Sequence, residues 1–135
     1  MTAPPVRVLD TSALLALRGN EAGADRVEQL LVAARKGRAR LLVSFITRME
    51  LLYLIRREEG ENEARSALLL VDSLPIEWVT CEPEILDAAA TLKAAGRLSV
   101  ADSWIAATAL VHGAVLVHRD REYASVGQLR QEALD

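Results

Sequence analysis

The chain has 135 residues, the length of one ordinary domain that can bury its own core. Its composition, 51% hydrophobic and 26% charged, excludes a disordered chain, and an aromatic share of 4% argues against a face of stacked rings for single-stranded nucleic acid. The formal charge of −3 argues mildly against bulk electrostatic capture of a polyanion, and the single cysteine rules out an intrachain disulfide or a cysteine-rich zinc site.

In chain order, Val6 to Leu9 is a short β-branched run that predicts a strand ending at Asp10. Thr11 to Leu17 is helical, and Arg18-Gly19-Asn20 stops it. Glu21 to Lys36 predicts a second helix, with Val27, Leu30, Leu31 and Ala34 on one face and Gly37 at its end. Arg40 to Val43 predicts a second strand. Thr47 to Glu59 and Glu61 to Ser73 predict two further helices, the second closed by Pro75. Ile76 to Val79 is a third strand, and Pro83 opens a helix that Gly96 ends. Ser99 to His112 is a helix ended by Gly113, Ala114 to Val117 is a fourth strand, and a charged segment follows from Arg119. Val126 to Asp135 fits neither period.

Short apolar strands alternating with helices predict a mostly parallel sheet covered on both faces. Ligands in such folds bind beyond the carboxyl ends of the strands. Four acids fall at strand ends or in first helical turns: Asp10, Glu50, Asp102 and Asp120. Each has a structural reading of its own. Asp10 suits an N-cap, and Thr47-Arg48-Met49-Glu50 suits a capping box. Ser99 to Asp102 suits a weaker box, and Asp120 suits a turn. Asp102, however, shares a helix face with Ile105, Ala106 and Ala109, where an unpaired carboxylate is costly. Four carboxylates at one sheet edge repel one another, and a divalent cation relieves them. Oxygen-only ligands select a hard ion, Mg²⁺ or Mn²⁺, over Zn²⁺. Without those four acids the formal charge of −3 becomes +1, close to neutral for a polyanion. A hard cation held by few carboxylates suits phosphodiester hydrolysis.

The motifs Val8-Leu9-Asp10-Thr11-Ser12-Ala13-Leu14, Leu98 to Ala109 and Leu116 to Tyr123 resemble the first, third and fourth acidic motifs of PIN-domain ribonucleases. Glu50 occupies the place of the second acid. The length resembles the VapC-type toxins of toxin–antitoxin pairs. The resemblance implies one PIN-like nuclease domain over residues 1–135, a three-layer α/β/α fold with a central, mostly parallel sheet. It implies that Asp10, Glu50, Asp102 and Asp120 form a catalytic, metal-binding pocket for Mg²⁺ or Mn²⁺, supported by Thr11 and Ser12. It also implies an RNA substrate, a VapB-type antitoxin partner and a homodimer. The chain departs from the family at His118, where Thr or Ser is common; a hydrogen-bonded structural histidine is the favoured reading there.

Arg119 and Arg121 flank Asp120 and are candidates for contact with an RNA backbone. Arg35, Lys36, Arg38 and Arg40 read first as cations at a helix end. Trp104 reads as a core or interface residue, and Cys81 as a buried or half-buried one. Met1 to Pro5 lacks a signal-peptide pattern, and the apolar runs are too short to span a membrane, so the cytoplasm is the expected compartment. Two alternatives remain. An aspartyl-nucleophile phosphatase would use Asp10 but wants an Asp where Ser12 stands. A non-catalytic PIN-like binding module would keep the pocket only to hold a partner.

Overall fold

The computed structural model describes residues 2–135. Five strands, β1 (Val6–Leu9), β2 (Arg40–Ser44), β3 (Glu77–Val79), β4 (Val115–His118) and β5 (Gln131–Ala133), form one sheet in the order β3-β2-β1-β4-β5. Every pairing is parallel, with Val8 opposite both Leu42 and Leu116. The helices are α1 (Thr11–Arg18), α2 (Ala24–Arg35), α3 (Phe45–Glu59), α4 (Glu61–Asp72), α5 (Pro83–Ala95) and α6 (Val100–Val111). The fold is a three-layer α/β/α sandwich.

The period of two along each strand creates the layers. Val8, Leu42 and Leu116 point into a core shared with Ile85 of α5 and Ile105 of α6. Leu9, Leu41, Val43 and Val117 point into the opposite core, with Leu14, Val27, Leu30, Leu51 and Leu68 from α1 to α4. Burial of each large aliphatic side chain contributes about 1.5–3 kcal/mol. Among the described residues no helix is long and apolar enough to cross a membrane.

Several boundaries differ from those the sequence predicts. The second helix starts at Ala24 rather than Glu21, because Gly23 turns the chain at φ +94°. A Cβ on Gly23 would lie 2.7 Å from the Cβ of buried Leu134, beyond the last strand. Gly23→Ala is therefore expected to cost about 1–3 kcal/mol, read as a lower urea midpoint with unchanged m-value. The third helix starts at Phe45, not Thr47, because the Ser44 hydroxyl accepts the Ile46 N–H and caps it. The capping box at Thr47 to Glu50 is therefore not formed. Thr47 is buried inside the first turns, and Glu50 is free for another partner.

The tail forms β5, which pairs beside β4, with Leu116 opposite Gln131. Arg26 of α2 holds it with two hydrogen bonds to Glu132, at 2.7 and 3.2 Å. Cys81 is exposed in the loop after β3, against the buried or half-buried expectation. Its neighbours Thr80 and Glu82 lie outside any apolar run, so nothing draws it inward.

Candidate active site

The strand order reverses between β1 and β4: β2 and β3 lie to one side of β1, β4 and β5 to the other. In an open parallel sheet this switch point opens a crevice beyond the carboxyl ends. Asp10 follows β1 there, and its backbone N–H donates to Val117 O at 3.0 Å, so β4 fixes its position. Asp120 lies two residues beyond β4. Asp102 lies in the first turn of α6, and Glu50 in the second turn of α3.

Asp10 is buried, and both of its carboxylate oxygens are engaged. Oδ2 caps α1 by accepting the Ser12 N–H at 2.9 Å, and it also accepts the Ser12 hydroxyl. Oδ1 accepts the Tyr123 hydroxyl at 2.6 Å. The same hydroxyl lies 3.0 Å from Asp102 Oδ1. The N-cap reading of Asp10 thus holds alongside its place in the acidic crevice. Oδ2 is filled by its two Ser12 contacts, whereas Oδ1 keeps a lone pair beyond the Tyr123 contact.

Ser12 is spent on structure. Its hydroxyl donates to Asp10 and accepts the Arg119 N–H at 2.9 Å, tying α1 to the segment after β4. Thr11 is buried and serves Glu50: its hydroxyl donates to Glu50 Oε1 at 2.7 Å and lies 2.9 Å from the Thr47 hydroxyl. Asp120 caps a 3-10 turn, Arg121–Ser125, by accepting the Glu122 N–H at 2.9 Å. Ser99 caps α6 by accepting the Asp102 N–H at 3.0 Å, so half of the predicted box is formed.

The four acids act on one another. Burial raises the Asp102 pKa from its ordinary 3.8 to about 7, reinforced by the charge of Asp10 and by a hydrogen bond with Asp120. Burial also raises the Glu50 pKa; Asp10 and Asp120 add to it, against the lowering effect of the Thr11 hydroxyl. No cation appears among the groups shifting either residue. The cluster is a concentration of negative charge without a compensating side chain. Among the described residues, no three carboxylates, imidazoles or thiols are drawn to ready-made ligand spacing. The Tyr123 hydroxyl lies between Asp10 and Asp102, while Thr11 holds Glu50 and Ser12 holds Asp10.

His118 has the structural role predicted for it. Its Nδ1 accepts the Asp120 N–H at 3.0 Å, which places the proton on Nε2, 2.9 Å from Gln131 Oε1. Gln131 Nε2 in turn donates to Tyr123 O at 2.8 Å. With both ring nitrogens used, the histidine adds no donor to the crevice. Arg119 points toward Glu21, at 3.8 Å. Arg121, which follows Asp120 in the chain, lines a shallow depression with Arg97, Glu122 and Ser125. Arg97 escaped sequence reasoning because nothing local marks it; only the fold brings it opposite Arg121. Trp104 packs edge-on against Phe45, with ring centroids 5.1 Å apart, as a core residue would.

A family model described as the PIN domain matches residues 7–129. The chain belongs to the PIN domain family. Solved PIN-like structures agree in fold. VapBC from nontypeable Haemophilus influenzae is 28% identical, with a TM-score of 0.72 over 95% of this chain and 97% of that one. VapBC2 from Rickettsia felis, bound to a promoter DNA fragment, is 18% identical with a TM-score of 0.78, covering 96% and 99% of the two chains. A sarcin–ricin-loop-cleaving VapC toxin of Mycobacterium tuberculosis is 16% identical with a TM-score of 0.70, covering 90% and 95%. No curated protein matches the sequence. The PIN resemblance read from the three acidic motifs therefore stands, and so does the three-layer fold it implied.

Proposed function

We propose that this PIN domain is a metal-dependent endoribonuclease and the toxin of a VapBC-type toxin–antitoxin pair. The observation that carries the proposal is the uncompensated acidic crevice at the switch point, where Asp102 is pushed to a pKa of about 7. The donor set fits a hard cation: Asp10, Glu50, Asp102 and Asp120 offer only carboxylate oxygens, and His118 is fully engaged elsewhere. These four residues would hold Mg²⁺ or Mn²⁺. When bound, the ion supplies charge neutralisation at the phosphodiester and a more acidic water.

The chain's own residues supply the rest. Glu50 and Asp102, each with one carboxylate oxygen outside its hydroxyl contact, are the candidates for the base. One of them takes a proton as the water oxygen bonds to phosphorus. The bond from phosphorus to the leaving ribose oxygen breaks, and that oxygen takes up a proton. Arg121, which follows Asp120 in the chain, shares a depression with Arg97, and both are suited to flanking phosphates, with Arg119 on the other side of Asp120. The protein would act in the cytoplasm as a homodimer, restrained by a VapB-type antitoxin. The exposed Leu69 and Leu70 on α4 and the apolar groove between α1, α3 and α4 support a protein partner.

The test is cleavage of end-labelled structured RNA with Mg²⁺ or Mn²⁺. Asp10→Asn and Glu50→Gln are expected to lose at least about 100-fold in rate. Arg121→Ala is expected mainly to raise KM, more so at higher salt. Cleavage that persists in chelator, or that survives both acid substitutions, overturns the proposal. RNA binding without turnover would favour a binding module. Hydrolysis of small phosphate esters with covalent labelling of Asp10 would favour the phosphatase.

A further inference from the structure

Tyr123 is the residue at the crevice that sequence reasoning passed over. It lies in the 3-10 turn after β4, and its side chain is fully buried in the core beside α5 and α6. A phenylalanine would fill that space equally well. The hydroxyl adds a polar atom to an apolar core, which costs free energy unless it is bonded. Its single proton is directed to Asp10 Oδ1 at 2.6 Å, and its oxygen lies 3.0 Å from Asp102 Oδ1. It thereby joins residues separated by more than ninety positions in the chain, one at the end of β1 and one at the start of α6.

The hydroxyl is also held in place from behind. Gln131 donates to the Tyr123 carbonyl, His118 orients Gln131, and the His118 ring lies 4.8 Å from the Tyr123 ring. With the Ser12 contacts on Oδ2, Tyr123 leaves Asp10 little freedom to rotate.

We propose that Tyr123 is a positioning residue that sets Asp10 and Asp102 for a divalent cation, with its hydroxyl donating to Asp10 and its oxygen seated against Asp102. This rests on the cation-binding reading of the crevice. The hydroxyl touches the acids and takes no part in the bond changes. A donor that orients metal-ligating carboxylates typically changes affinity by about 10–100-fold when lost.

The experiment is calorimetric titration of the full chain with Mn²⁺ and Mg²⁺, comparing wild type, Tyr123→Phe and Leu129→Ala. Leu129 is buried in the same core and shares no hydrogen bond with the acids. Tyr123→Phe is expected to raise the cation Kd about tenfold or more. Leu129→Ala is expected to lower the thermal midpoint and leave the Kd within twofold. An unchanged Kd in Tyr123→Phe, an equal change in Leu129→Ala, or an unfolded Tyr123→Phe at 25 °C overturns the positioning role. A wild-type protein that binds neither cation overturns the cation reading as well. The two failures are therefore distinct.

Discussion

Replacing Asp102 by Asn is expected to stabilise the cation-free protein at pH 8 while lowering RNA cleavage by at least about 100-fold. The sign follows from the raised pKa. In the unfolded chain the carboxyl titrates near 3.8; in the folded chain it holds its proton to about 7. The folded state thus binds the proton more tightly across that window. The stabilising contribution is fully present below pH about 4 and is lost as the pH rises through about 7. Glu50 is shifted in the same direction and adds to the slope.

Asn removes the charge and keeps an oxygen that can accept the Tyr123 hydroxyl. The gain at pH 8 is on the order of 1–2 kcal/mol, discounted because Asp102 keeps access to solvent, or roughly 5 °C in thermal midpoint. Melts in chelator at pH 5, 6, 7 and 8 check it. Wild type should lose stability along the series, and Asp102→Asn should follow a flatter line. A variant less stable than wild type at pH 8 would refute the electrostatic account of the crevice.

Adding Mg²⁺ or Mn²⁺ should reverse the loss where it is greatest. At pH 8 the acids are ionised and repel, and a saturating cation is expected to raise the midpoint. Ligand at about 100 times Kd contributes about 2.7 kcal/mol. At pH 5 protons compete for the same oxygens, and the rise should nearly vanish. Chelator should return both the midpoint and the cleavage rate to cation-free values. A midpoint shift equal at pH 5 and pH 8 would place any bound cation away from Asp102 and Glu50.

The central elements were legible because their signals are local. Val6 to Leu9, interrupted only by Arg7, and the apolar runs Leu41 to Val43 and Leu116 to Val117 serve both faces of a buried parallel sheet. β5 was not legible. Gln131-Glu132-Ala133 is an edge strand with little to bury, and only pairing with β4 and the Arg26 contact give it shape. The start of α3 was misplaced for a related reason. The apolar pair Phe45-Ile46 carries no helix-start signal of its own, and the cap is Ser44 rather than Thr47.

The acids themselves were legible from their places in chain order, whereas their partners were not. Thr47 reads as the cap for Glu50, yet the hydroxyl that reaches Glu50 is that of Thr11, thirty-nine residues away. Tyr123 stands in a charged segment, and nothing local says that its ring is buried beneath two carboxylates. His118 was read correctly as structural, although Gln131, the residue that makes it so, lies in the strand that was missed.

The position of β1 also governs when the crevice exists during synthesis. The first strand made is the middle strand of the sheet, and one of its edges stays bare until Val115 to His118 has been added. The Asp10 N–H, the Asp10 carboxylate and the Ser12 hydroxyl all find partners in the stretch from Val117 to Tyr123. A nascent chain that stops short of that stretch carries three of the four acids without the frame that aligns them. The frame of the crevice therefore closes only once β4 and the 3-10 turn have joined the elements that precede them.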